Sequence, residues 1–453
     1  MANPILLAVT LALGQSSVPS ETRVQAIVGA RVEVGDGRVL ERATLVIRNG
    51  VIVALAPDAP VPAGAQTLDG KGLTLTPGFI DAWTDKGTAL PEAKPDPDAA
   101  VPAAEYASAA MREANRKGIR PEIEARNYLN VTEDYAKAYR NAGFTTAMVV
   151  PDGGYIAGVG TLVNLSGRPM RDSIVVPETA LAIDFDGNAA GGTYPGSLLG
   201  RIAHVRQTFE DARGLRAASA AFRAGGTQRP VSDLALEALF PALNGTLPVA
   251  IEADTAAQID RALLVSRDYG LKPMLIGALQ GYKRVDRLKG VPLVLGLNFG
   301  EEPKNDAKPA EATPDDSPSD SAEGFGERTR LYNEAARNAV VLQSAGLSFA
   351  LSSHGSRDIG EFMSRLRAAV KNGLPRATAL RALTVDAARI YGVERLLGTL
   401  EVGKVANVVA ATGDFLDEKT KVKMLYIDGR RIDPDAKTLP PTPSRSFGIK
   451  ERR

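Results

Sequence analysis

Five short apolar runs, separated by stretches of helix length, constrain this chain more than any other feature. They are "FTTAMVV" (144–150), "LPVAIEA" (247–253), "KPMLIG" (272–277), "VPLVLGL" (291–297) and "SFALSS" (348–353). Each is almost continuously apolar, which is the pattern of a parallel strand covered on both faces. The stretches between them read as helices. "TAAQIDRALLVSRDYG" (255–270), for example, is apolar at Ile259, Ala262, Leu263 and Val265. About eight such strand–helix units close into a (β/α)8 barrel, whose chemistry sits at the C-terminal ends of the strands. A chain of 453 residues has room for that barrel and a second unit.

The second unit is written at both ends. From 23 to 76 the period is two, with frequent turns, and "RNG" (48–50) marks a tight hairpin because Asn-Gly supplies the positive φ angles of a type I′ turn. The same texture returns over 398–440 in "GTLEVGKVANVVAATGD" and "KVKMLYIDGRRI". Together these ends predict a small composite β-sandwich, with the barrel over 77–397 inserted between them. Within the barrel, 300–324 is rich in Pro, Asp, Glu and Ser. It reads as a mobile acidic loop on the mouth side, either a solvated insertion or a lid. "DGGYIAGVGTLVNLSG" (152–167) is glycine-rich but lacks a full GxGxxG and a following Walker lysine. It reads as a loop whose backbone passes close to other groups.

Composition excludes several functions. Net charge is +1, and no basic or aromatic stripe offers a surface for nucleic acid. Cysteine is absent, which removes disulfides, thiolate nucleophiles and Cys-type zinc sites. "ILLAVTLALG" (5–14) is an apolar run of signal-peptide length followed by small and polar residues. It predicts an export signal over 1–22 and a periplasmic or secreted protein, with a cytoplasmic one as the alternative. No other segment is apolar for long enough to span a membrane.

The segments "GKGLTLTPGFIDAWTD", "AGFTTAMVV", "LPVAIEADTAAQIDRALLVSRDYGLKP", "AGLSFALSSHG" and "ALRALTVDAARIYGVERLLGTLEVGKVANVVAATGDF" followed by "YIDG" resemble the amidohydrolase superfamily, in its imidazolonepropionase-like branch. They occur in family order from about 23 to 432. The resemblance implies a metal-supporting barrel with a composite β-domain and hydrolysis of non-peptide C–N bonds in a small-molecule substrate.

The departures fall where that family keeps its chemistry. The first strand of the family ends in His-x-His, and this chain has Trp83 and Asp85. The fifth strand supplies a His, and this chain has Glu252. The last strand ends in an Asp, and this chain has His354. With only His204 and His354 in the chain, a multi-histidine zinc centre is impossible.

Asp85, Glu252 and His354 are therefore the candidate catalytic and metal-binding residues. Drift at a wet barrel mouth would leave the barrel for ligand binding, or for assembly with an active homologous amidohydrolase subunit. A rebuilt oxygen-rich site would favour Mn, Mg or Fe over zinc. A metal-free pair would use a carboxylate and His354 as acid and base. Trp83 is the candidate substrate-stacking residue, against a packing role. His204 reads as an ordinary helix histidine. Ser353 alternates to the opposite face from His354, which weakens a Ser–His nucleophile.

The export reading has a direct test. Mass spectrometry of the protein from its native host should show a chain lacking about its first twenty residues. Recovery of the intact N-terminus from the cytoplasm would overturn it.

Overall fold

The computed structural model describes residues 24–90, 118–187, 195–304 and 322–434. The expected export segment, the bulk of the acidic 300–324 loop and the tail from 435 to 440 lie outside them.

The first five strands are β1 (Gln25–Glu33), β2 (Val39–Arg48), β3 (Val51–Ala56), β4 (Gln66–Asp69) and β5 (Thr74–Pro77). Asn49 and Gly50, at φ 53° and 81°, turn β2 into β3 as the Asn-Gly pair requires. The barrel strands follow: β6 (Phe79–Thr84), β7 (Phe144–Val149), β8 (Ile156–Val159), β9 (Thr161–Asn164), β10 (Ile174–Val176), β11 (Leu181–Ile183), β12 (Val249–Ala253), β13 (Pro273–Gly277), β14 (Leu293–Gly296) and β15 (Ala350–Ser352). The chain then returns to the first unit with β16 (Val408–Ala411), β17 (Val422–Ile427) and β18 (Arg430–Ile432).

Both chain ends build one sheet, in the order β18-β17-β16-β5-β1-β2-β3, with β4 beside β1. The seam is β5 against β16, antiparallel, with Leu75 opposite Ala410. Val51 at the start of β3 bridges Val405 in the segment leading into β16, so the sheet curls back on itself. Ile27, Leu45, Ile47, Leu75, Val408 and Tyr426 fill the space it encloses.

In the barrel, β11 to β15 run parallel in sequence order, and β6 pairs parallel with β7. The third position departs from the alternation. There β9 pairs antiparallel with β7, and β8 pairs antiparallel with β11. Only Gly160 separates β8 from β9, so they form one bent strand running against its neighbours. The glycine-rich stretch 152–167 is thus largely strand rather than loop, which corrects the reading from sequence. Its glycines serve close approach, as expected. A Cβ on Gly158 would lie 2.2 Å from the Ile123 carbonyl oxygen, and one on Gly160 would lie 2.2 Å from Cε of Met148.

Alternation along the strands divides two layers. Ile80, Met148, Ala182, Ala250, Met274, Ile276, Val294 and Ala350 pack together inside the barrel. Phe144, Ile183, Val249, Ile251, Leu275, Leu295 and Leu351 face outward to the helices. The helix Ala256–Tyr269 shows why these segments fold locally. Thr255 and Gln258 form a reciprocal capping box, and Gly270 ends the helix in the left-handed conformation at φ 66°. Ile259, Ala262 and Val265 are buried against the strands, each large side chain contributing about 1.5–3 kcal/mol.

A chain ending at Leu397 would lack β16 to β18 and leave the β5 edge and the apolar face of β1 uncovered. Such a truncation should be insoluble or lose cooperative unfolding in urea. A soluble truncation with a sharp transition would show that the composite sheet is dispensable.

Candidate functional site

The C-terminal ends of β11, β12 and β15 bring a group of ionisable side chains together. Ala250 points into the barrel, and the period of two turns Glu252 the same way, with Asp254 two residues further on. Ile183 of β11 lies opposite Ile251, so the next residue, Asp184, comes level with Glu252. His354 leaves the end of β15, and its Nε2 lies 3.0 Å from Oε2 of Glu252.

These neighbours set one another's protonation. Burial pulls the His354 imidazole down. The hydrogen bond that it donates to Glu252 and the charges of Glu252, Asp85 and Asp254 outweigh that and lift it to about 9. Burial pushes the Asp184 carboxyl up to about 7, helped by the charge of Glu252 and opposed by the backbone N–H of Asp186. Burial also raises Asp254, against the pull of His354. The structure thus brings Asp85, Glu252 and His354 to one mouth and adds Asp184 and Asp254, which sequence reasoning missed. Asp184 in "LAIDFD" is a carboxylate one residue beyond a strand end, a position that marks chemistry in barrels. The strand itself is only three residues long and escaped notice.

Trp83 is 0% exposed and packs inside the barrel. No face of its ring is open to a ligand, so the stacking role expected for it gives way to packing. His204 sits on the outer helix Leu198–Arg223, edge-on to Tyr155 at 6.4 Å.

Asp81 is the larger omission. It is wholly buried between β6 and β15. Its Oδ1 accepts the Ser353 backbone N–H at 2.8 Å, and its Oδ2 accepts the Ser353 hydroxyl at 2.5 Å. Tyr139, from the helix Glu133–Asn141, joins the Ser353 hydroxyl at 2.7 Å. Ser353 therefore turns away from His354 and serves this network. A carboxylate inside the apolar run "GFIDAW" was the available signal, because a buried charge needs partners.

The amidohydrolase family profile matches residues 331–432. An amidohydrolase from Thermotoga maritima MSB8 superposes with a TM-score of 0.72 at 20% identity, covering 90% of this chain and 99% of its own. A putative prolidase from Bifidobacterium longum gives 0.50 at 18% identity, with 92% and 97% covered. Phenylurea hydrolase B gives 0.51 at 17%, with 93% and 98% covered. No curated protein sequence matches the chain. The family match is thus confined to the C-terminal part, 331–432, and the likeness to the solved structures shows that the whole chain has the amidohydrolase fold.

The amidohydrolase superfamily generally uses divalent metals, so the mouth can be tested for fit. Among the described residues, no three His, Asp or Glu side chains are disposed to hold one ion. Asp85, Glu252 and His354 share the mouth, but Nε2 of His354 is taken by Glu252. The residue that replaces the first histidine, Trp83, offers no ligand atom of the required kind. The described residues do not fit the family's metal centre.

The Asp81 network generates a signed prediction. Burial raises the Asp81 carboxyl to about 6, while hydrogen bonds from Ser353 and the Trp83 N–H hold it down. The unfolded chain therefore loses this proton at lower pH than the native state. The associated stability is fully present below about pH 4 and is lost by about pH 6, a change of roughly 3 kcal/mol. Asp81→Asn keeps the shape without the charge and should flatten urea-derived stability over that window. Asp81→Ala leaves the Ser353 donors unpaired and also removes the titrating group, so its cost relative to the unmodified chain should be largest below about pH 4 and shrink towards pH 6. Equal pH slopes in Asp81→Asn and the unmodified chain would refute this role.

Proposed function

We propose that this protein is an amidohydrolase-fold barrel whose mouth binds a small molecule without the superfamily's metal-dependent hydrolysis. The observation that carries this reading is the Glu252–His354 ion pair at the strand ends. Metal-dependent hydrolysis needs free imidazole and carboxylate donors converging on one ion, which generates hydroxide near neutral pH. Here the His354 imidazole is committed to a carboxylate. The surrounding groups, Asp85, Asp184 and Asp254, are further carboxylates rather than imidazoles. Substrate-binding machinery can outlast chemistry because fold and site vary independently.

What the mouth offers a ligand is acceptor oxygens backed by apolar walls, with one imidazole N–H. A molecule rich in hydrogen-bond donors suits such a surface, whether or not it is turned over. The superfamily's usual activity on C–N bonds remains the reaction class to assay.

Metal analysis of protein purified without added metal should find zinc well below one per chain. Titrating Mn, Mg or Zn should leave the melting temperature unchanged, since an ion that binds only the native state would raise it. His354→Ala breaks a partly buried charge-assisted hydrogen bond and should cost about 1.5–3 kcal/mol, with no change in metal content. Stoichiometric metal, or turnover of dipeptide or urea substrates that is lost with chelator, would overturn the proposal.

A further inference from the structure

A second cavity lies far from the charged mouth, in the seam between the composite sheet and the barrel. It has a volume of about 300 Å³. Its sheet wall is the face of β5 and β16 turned away from the curled core. Leu75, Val408 and Ala410 face that core, so alternation presents Thr76, Val409 and Ala411 to the cavity. Its barrel wall comes from Phe79 at the start of β6, from the end of the helix Glu133–Asn141, and from Met363 and Arg367 of the helix Ile359–Lys371. The outer wall is the connection 412–421 between β16 and β17. Phe415 folds this connection inward to meet the Phe79 ring edge-on at 5.4 Å.

The chemistry of the walls is that of a ligand site. The cavity opens to solvent on one side and has room for on the order of ten waters. Phe79, Met363, Val409 and Phe415 give such waters few partners. A space of this size, apolar with a few placed polar groups and set between two units, is where small molecules bind. Arg367 supplies the charge. Its Nε donates to the Leu416 carbonyl at 2.9 Å, which fixes the guanidinium in the wall. Its Nη1 makes only a 3.5 Å contact with Glu418, whose side chain is 76% exposed. The second Nη has no partner among the described residues. Asp417 also lines the rim, but its carboxylate accepts the Lys419 backbone N–H.

We propose that this interdomain cavity binds a small aromatic or branched apolar carboxylic acid, with the apolar body between Phe79, Met363 and Phe415 and the carboxylate on Arg367. The fork of donors on a guanidinium matches a carboxylate and gives the site its preference for an acid. Occupancy ties the 412–421 connection to the barrel helices, so the ligand holds the two units together.

The test uses the full chain with 4-phenylbutyrate as probe and 4-phenylbutylamine as its charge-reversed counterpart. Calorimetry should show saturable binding of one phenylbutyrate per chain, with a raised melting temperature and no binding of the amine. Arg367→Gln should weaken phenylbutyrate at least tenfold. Met363→Trp fills the cavity and should abolish binding while keeping the circular dichroism spectrum of the unmodified chain. Should Met363→Trp not fold, hydrogen exchange on the unmodified chain replaces it, with phenylbutyrate expected to protect 359–367 and 413–420. No saturable binding, equal binding of acid and amine, binding that survives Met363→Trp, or protection confined to other segments would each overturn the proposal.

Discussion

Asp81 stands where the first and last barrel strands meet, and it joins them with its side chain. Among the described residues no backbone ladder pairs β6 with β15. The carboxylate instead accepts both the N–H and the hydroxyl of Ser353, and Tyr139 completes the group from the covering helix. An ionised carboxylate in so dry a place is tolerable because the Ser353 N–H and hydroxyl and the Trp83 N–H point at it. Lys86 reinforces the same junction further along by donating to the Ser356 and Arg357 carbonyls. The positions of Asp85, four residues beyond Asp81, and of His354, one beyond Ser353, follow from this staple. The mouth is assembled as a consequence of how the barrel closes.

Closing the barrel this way explains how the ligand positions can change while the fold persists. Asp81 and Ser353 belong to the outer side of their strands, and the mouth residues belong to the inner side. Substitutions at 83, 85, 252 and 354 leave the staple untouched. Trp83 adds to the interior packing with Met148 and Ile276. The Glu252–His354 pair satisfies two charges that would otherwise face each other's absence at a half-buried site.

The physics of local periodicity made much of the architecture legible. The strands at 144–149, 249–253, 273–277, 293–296 and 350–352 are each within two residues of the apolar runs, because burial on both faces writes itself directly into composition. The Asn-Gly turn was legible for the same reason, being local chemistry. The bent antiparallel strand in third position was not, because its glycines resemble loop glycines until the Ile123 carbonyl and Met148 are known to press against them. Asp81, Asp184 and Asp254 were passed over for a related reason. Their significance rests on burial and on neighbours far away in sequence, such as Ser353, Glu252 and His354, and no window of the chain contains both halves. Trp83 was placed on the right strand, but the bulge that opposes β6 to β7 between Asp81 and Thr84 decides where its ring goes.

The two ends of the barrel carry different kinds of order, and this bears on what each can become. At the mouth, charges face one another and solvent, so one substitution changes chemistry without removing core contacts. At the junction with the composite sheet, Asn407 donates to Asn164 and Thr146, and Asn164 donates to Asp428 at 2.7 Å. These bonds cross between β7, β9 and the strands near the C-terminus, and burial makes each costly to leave half made. The composite sheet is therefore part of how the barrel holds its second and third strands in place, not an appendage. The interdomain cavity lies along the same junction, where the β16–β17 connection reaches over Phe79. A ligand there would act on the more constrained end of the molecule, and any influence on the mouth would travel through β6, the strand that carries both Phe79 and Asp81.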